Sequence, residues 1–68
     1  MTASYELDKC YLGGWCCYFL VGGRYNTDER GTDGTGLKIY DTFDKAMAAG
    51  ERYLRKMAKN GFAVTRPY

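Results

Sequence analysis

Residues 42–61 read TFDKAMAAGERYLRKMAKNG, and they constrain the fold more than any other stretch. Phe43, Ala46, Met47, Gly50, Leu54 and Met57 recur at three- and four-residue intervals, with Tyr53 on their flank. That spacing gathers side chains on one face of a helix with a period of about 3.6 residues. Lys45, Glu51, Arg52, Arg55, Lys56 and Lys59 fall elsewhere, so the helix has a dry face and a wet, basic one, with Glu51 and Arg55 one turn apart. Thr42 suits the N-cap, Asp44 the positive end of the helix dipole, and Lys56 and Lys59 the negative end. Asn60-Gly61 supplies the stop, because glycine takes a left-handed cap cheaply.

A single helix with one dry face needs a sheet to lie on, and the rest of the chain reads as strand. Residues 5–12 alternate well enough for a first strand behind a frayed start, and Gly13-Gly14 breaks it. Residues 15–21, WCCYFLV, have strand length and strand composition, and Gly22-Gly23 offers the positive φ angles of a two-residue hairpin, so residues 24–27 should pair back. The polar segment 26–36, NTDERGTDGTG, has nothing to bury and is expected to be an exposed, mobile loop. Residues 37–40 form a short strand before the helix, and residues 62–65 a last one, stopped by Pro67. The expectation is a single α+β domain: a small antiparallel sheet of three to five strands with one amphipathic helix across one face.

One helix covers one face only. In the strand 15–21, Trp15, Cys17, Phe19 and Val21 point one way and Cys16, Tyr18 and Leu20 the other, so both faces are apolar and the second lacks cover. A partner protein or a second copy in a homodimer would supply it. Gly50, in the middle of the dry face, lowers helix propensity by about 1 kcal/mol, which predicts a close approach of its backbone to a sheet aromatic. Seven tyrosines in 68 residues suit a surface that is sometimes covered, since Tyr offers contact area and a hydroxyl that tolerates water.

Composition narrows the function classes. The balance of 10 Lys plus Arg against 8 Asp plus Glu, a formal +2, is too small to announce a nucleic-acid partner. The three cysteines are odd in number, two are adjacent, and no apolar leader precedes them. We therefore expect buried or half-buried free thiols and a cytoplasmic setting. The longest apolar run is far short of the roughly 20 residues that cross a bilayer, so no membrane span is expected. With no His, neither a Cys-His zinc set nor a Cys-His nucleophile can be assembled. Gly31, Gly34 and Gly36 precede Lys38, but Gly36 is followed by Leu37 and a strand rather than by Lys and Ser or Thr, so the phosphate-loop pattern fails. The spacing of Asp28 and Asp33 lacks the closing Glu of a calcium loop. No catalytic set, metal or cofactor is expected.

The segment 14–59, with Trp15 opening a strand, a Gly-Gly hairpin, the phrase YDTFDKAMAAG and an amphipathic helix, resembles the three-strands-then-helix plan of arm-type DNA-binding domains of phage integrases and of plant AP2 domains. That resemblance implies DNA reading by basic side chains on the uncovered sheet face, beside which stand Arg24, Arg30 and Lys38. In size and lack of catalytic residues the chain also resembles phage proteins that bind and block a host machine, anti-CRISPR proteins among them. The leading expectation is a non-enzymatic inhibitor docking on a host protein or ribonucleoprotein through Tyr18, Arg24, Tyr25, Asp28, Glu29 and Arg30. The alternative is nucleic-acid binding through Arg24, Arg30, Lys38, Arg52, Arg55 and Lys56.

Overall fold

The computed structural model describes residues 1–29 and 31–67. The elements are β1 (Thr2–Lys9), β2 (Trp15–Val21), β3 (Arg24–Tyr25), β4 (Leu37–Tyr40), α1 (Phe43–Lys59) and β5 (Ala63–Thr65). They make the α+β domain that the sequence pattern requires, a five-stranded sheet with α1 across one face. β1 pairs along the whole of β2, while β3 and β4 share the other edge of β2, beside Leu20–Val21 and Trp15–Tyr18 respectively.

One strand departs from the antiparallel expectation. β5 pairs β1 in parallel, Thr2 opposite Ala63 and Ser4 opposite Thr65. The connection explains this: parallel strands need a crossover, and α1 is that crossover, carrying the chain from the β4 edge over β2 and β1 to the far edge. Seventeen helical residues rise about 25 Å, enough to span the intervening strands.

The helix ends as its sequence dictates. The Thr42 hydroxyl accepts a hydrogen bond from the Lys45 N–H (3.2 Å), and Gly61 takes a φ of 91° after the Asn60 cap. Its dry face is rotated slightly from the expected one. Ala46, Ala49, Gly50, Tyr53, Leu54 and Met57 are buried, whereas Phe43 and Met47 are half-buried. Tyr53 is thus a core residue rather than a flanking one, because its hydroxyl reaches through the core to donate to the Leu20 carbonyl (2.7 Å) while its ring meets Phe19 edge-on at 4.9 Å. A Cβ on Gly50 would overlap the Tyr5 ring, the close approach that a mid-helix glycine predicts.

β1 lies three residues earlier than its alternation suggests. Thr2, Ala3 and Ser4 carry no strand signal, yet all three pair with β5, Ala3 and Ser4 also pair with β2, and Ala3 is fully buried under the helix. The chain leaves β1 at Lys9, and a tight turn closed by Cys10 N–H to the Gly14 carbonyl (3.0 Å) and Gly13 N–H to the Cys10 carbonyl (3.2 Å) leads into β2. Tyr11 and Leu12 are therefore turn residues, not strand.

Candidate docking surface

Alternation along β2 sends Trp15, Cys17, Phe19 and Val21 under the helix and leaves Cys16, Tyr18 and Leu20 on the other face. Cross-strand register extends that second face. Leu20 stands opposite Tyr25, Tyr18 opposite Leu37, and Cys16 opposite Ile39. On the β1 side the matching residues are Ser4, Glu6 and Asp8. Among the described residues no helix or second sheet lies on this face, although Cys16 and Leu20 are each only 7% exposed there. The Tyr18 and Tyr25 rings stack on it, 5.5 Å between centroids at 23°.

The turn after β1 extends the same surface, and here the structure corrects the expectation of three free thiols. Cys10 and Cys16 form a disulfide with Cα atoms 5.7 Å apart. Cys10 lies one step past the last β1 pair, Lys9 with Trp15, and shares the outward parity of Asp8; the tight turn folds it back against Cys16, which points the same way. Cys17 points inward, is fully buried, and remains free. Burial pushes its thiol up to about 12, so it stays protonated at neutral pH and packs as a small hydrophobe.

The bridge fixes a short loop whose two apolar side chains face water. Tyr11 is 99% and Leu12 93% exposed, while Ile39 and Tyr25 are 60% and 56% exposed. Tyr11, Leu12, Cys16, Tyr18 and Ile39 line one shallow groove, with Lys9 at its rim. Of these, only Tyr18 stands out in the sequence as a contact residue. Ile39 was findable from the alternation of Leu37, Lys38, Ile39 and Tyr40, but Tyr11 and Leu12 read as strand until the turn is known.

The other expected contact residues are distributed between this face and the opposite side. Arg24 is exposed at the hairpin and, with Glu6, Leu20 and Tyr25, borders a second shallow groove. Asp28 is exposed in the loop, its N–H bonded to the Asn26 side chain (3.2 Å). Glu29 turns away from Asp28 toward the helix, where Lys56 Nζ lies 2.5 Å from its carboxylate. Arg30 lies outside the described residues.

The loop is tied down more than its composition predicts. Its ends extend the β2 edge, Phe19 N–H donating to the Gly36 carbonyl (2.9 Å) and Asn26 N–H to the Phe19 carbonyl (2.7 Å). The Asn26 amide donates to the Tyr53 hydroxyl (3.2 Å), and Glu29 binds Lys56. Both tethers reach the helix, so the polar segment is a strap over one edge of the core rather than a free tip.

The basic residues follow the helix side. Lys38, opposite Cys17 in the register, points under the sheet toward α1 and meets Arg52 and Lys56 in a cleft beneath the loop. Arg55 and Lys59 lie further round the outer face of α1. Glu51 does not take Arg55 as its partner in the way that the one-turn spacing suggests. It accepts from the Tyr5 hydroxyl (2.8 Å) and from Arg66 Nε (2.8 Å), which ties the chain beyond β5 to the helix. These two donors hold the Glu51 carboxyl below its usual range, and burial, followed by the Glu51 contact, raises the Tyr5 hydroxyl to about 12.

Among the described residues no three His, Cys, Asp or Glu side chains converge as a metal set, and no helix is long and apolar enough to cross a membrane. The fold and surface define a small α+β domain with one sheet face open. No family model, curated protein or solved structure matches the chain.

Proposed function

We propose that this chain is a non-enzymatic binding protein that docks on a protein partner through its open sheet face. One observation carries the reading: Tyr11, Leu12, Tyr25 and Ile39, four of the five large apolar side chains exposed to water among the described residues, belong to that one surface. A soluble domain gains nothing by showing water a continuous strip of this kind, and such strips mark contact surfaces. Tyr18 and Tyr25 supply a rigid aromatic centre, and Arg24, Glu6 and Asp8 a charged border, the arrangement of an interface with an apolar core and a polar rim. An inhibitor that covers a site on a host protein or ribonucleoprotein is the biological form of this proposal; the Cys10–Cys16 bridge removes the free-thiol argument for a cytoplasmic setting.

The sheet face is a poor candidate for reading nucleic acid. Glu6 and Asp8 are the charged strand residues that alternate onto it among the described residues, and they would repel phosphates. The test is a comparison of captured partners. Wild-type protein should retain a specific protein prey from a nuclease-treated lysate, and Ile39→Asp and Leu12→Asp, both folded, should lose it. Retention should change little between low and physiological salt. Prey that survives both substitutions, or binding that falls log-linearly with salt and vanishes on nuclease treatment, would overturn the reading. Sedimentation of the purified chain adds a further check, because a dimer that Ile39→Asp dissociates would assign the face to a second copy instead.

A further inference from the structure

On the other side of the sheet the loop, β4 and α1 enclose a cleft of about 280 Å³ whose charges do not balance. Lys38 enters from β4, and Arg52 and Lys56, one turn apart, from α1. Glu29 is the one carboxylate lining it among the described residues, and that carboxylate is taken by Lys56 at 2.5 Å. Lys38 and Arg52 have no ion pair among the described residues. The floor is apolar and aromatic, formed by Phe19, Ala49 and Tyr53, with Tyr40 at the side.

The loop runs close beside the unmatched cation. A Cβ on Gly31 would lie 3.0 Å from Nζ at the flexible end of the exposed Lys38 side chain, and the φ of +84° at that position favours glycine. Like charges held together in a concave site focus a positive potential there, and an anion relieves it. The cations approach from two walls, Lys38 opposite Arg52 and Lys56. That suits the several oxygens of a tetrahedral dianion better than the single plane of a carboxylate. Burial raises the Tyr40 hydroxyl above its usual value, so it keeps its proton and remains a donor. The volume falls just below the range of about 300–1,000 Å³ typical of small-molecule sites, which limits the occupant to one phosphorylated group and a small organic body.

We propose that this cleft binds a small phosphate monoester, with Lys38, Arg52 and Lys56 on the phosphate and the Phe19–Tyr53 floor against the organic part. The site is separate from the open sheet face, and its occupancy does not depend on the docking reading.

The experiment is an amide-resonance titration of the full chain with phenyl phosphate, using phenyl sulfate as the monoanionic control. Saturable shifts should centre on residues 29, 31, 38, 52 and 56. Lys38→Gln and Arg52→Gln should each weaken binding about tenfold, as expected for a charge-assisted hydrogen bond, while the spectrum away from the cleft stays unchanged. Affinity should fall as pH drops through about 6, where the monoester loses its second charge. An Arg55→Gln, Lys59→Gln double variant, altered outside the cleft, should bind as wild type. Shifts that never saturate, equal binding of phenyl sulfate, or equal loss in the Arg55, Lys59 variant would overturn the proposal. So would a single-stranded oligonucleotide that saturates the same residues more tightly than phenyl phosphate, with a steep salt dependence, which would make the surface a nucleic-acid track.

Discussion

The two faces of this sheet are built from alternate residues of the same strands, and they are covered to different extents. Under the helix, Ala3, Tyr5, Cys17 and Phe19 meet Ala46, Tyr53, Leu54 and Met57, and every buried side-chain polar atom among the described residues has a partner. On the far face Cys16 and Leu20 are also buried, but Tyr18, Tyr25 and Ile39 beside them meet water and a disulfide-closed turn. Apolar character alone therefore does not define a core. What distinguishes the two is whether the chain has a second layer to spend on them, and this chain has only one helix.

Shortening one residue on each face should separate the two most sharply. Leu54→Ala, 1% exposed in the wild type, should destabilise the domain by about 2–5 kcal/mol, a large fraction of what so small a fold has. Ile39→Ala on the open face should be nearly silent in the same thermal melt. Equal losses would mean that the second face is covered in solution.

Next in size is the bridge. A crosslink across six positions of sequence, the Cys10–Cys16 separation, constrains the unfolded chain by about 2 kcal/mol. Melting with and without reductant should show that loss, and Cys16→Ser should reproduce it and make reductant ineffective. The turn's two backbone hydrogen bonds should keep the hairpin formed in the reduced protein.

A smaller effect concerns binding rather than folding. Tyr25→Ala should weaken capture of a partner by more than about 1 kcal/mol while leaving the melting temperature close to wild type, since the ring is more than half exposed. Arg24→Ala should act in the same direction. An Arg52, Arg55, Lys56 triple-Ala variant should leave that binding intact, and loss of binding in the triple variant alone would move the docking surface to the helix.

The smallest expected effect is the pH response of the Tyr5–Glu51–Arg66 cluster. The carboxyl of Glu51 is held below its unfolded value of 4.5, so its contribution is present above that value and fades as pH falls through the depressed one. Tyr5, raised from 10.0 to about 12, contributes fully below pH 10 and loses that contribution as pH rises toward 12. Glu51→Gln should flatten the acid limb of a stability profile, and an unchanged limb would show that other carboxylates carry it.

The helix was legible because its apolar positions recur over five turns and both caps are written in side chains, Thr42 and Asn60-Gly61. β2 was legible from its run of strand formers, and the open face followed from counting layers. The start of β1 was not, because Thr2-Ala3-Ser4 is strand only by virtue of two neighbours that pair with it. The parallel placement of β5 is likewise a property of the crossover and not of the three residues Ala63–Thr65. In the candidate surface, Tyr18 and Tyr25 could be read from alternation and the hairpin. The disulfide could not: alternation already set Cys16 and Cys17 on opposite faces, but residues 10–12 read as strand, and only the tight turn folds Cys10 back against Cys16. Glu29 reads as a loop charge beside Asp28, and only the strap's path over the helix turns it toward Lys56.

The parallel pairing of β5 with β1 also sets an order of assembly. Thr2 and Ala63 are 61 positions apart, whereas β1 with β2, β2 with β4, and the helix itself close far shorter loops. Closing a long loop costs more chain entropy, so the local β1–β2 ribbon and the helix are expected to form before β5 pairs with β1, an order that amide-exchange protection of residues 63–65 against residues 15–21 would check. The reverse journey starts at the same place. A transient release of β5 uncovers the hydrogen-bonding edge of β1 beside the buried Ala3, and that bare edge is where a crowded solution of this protein would begin to aggregate.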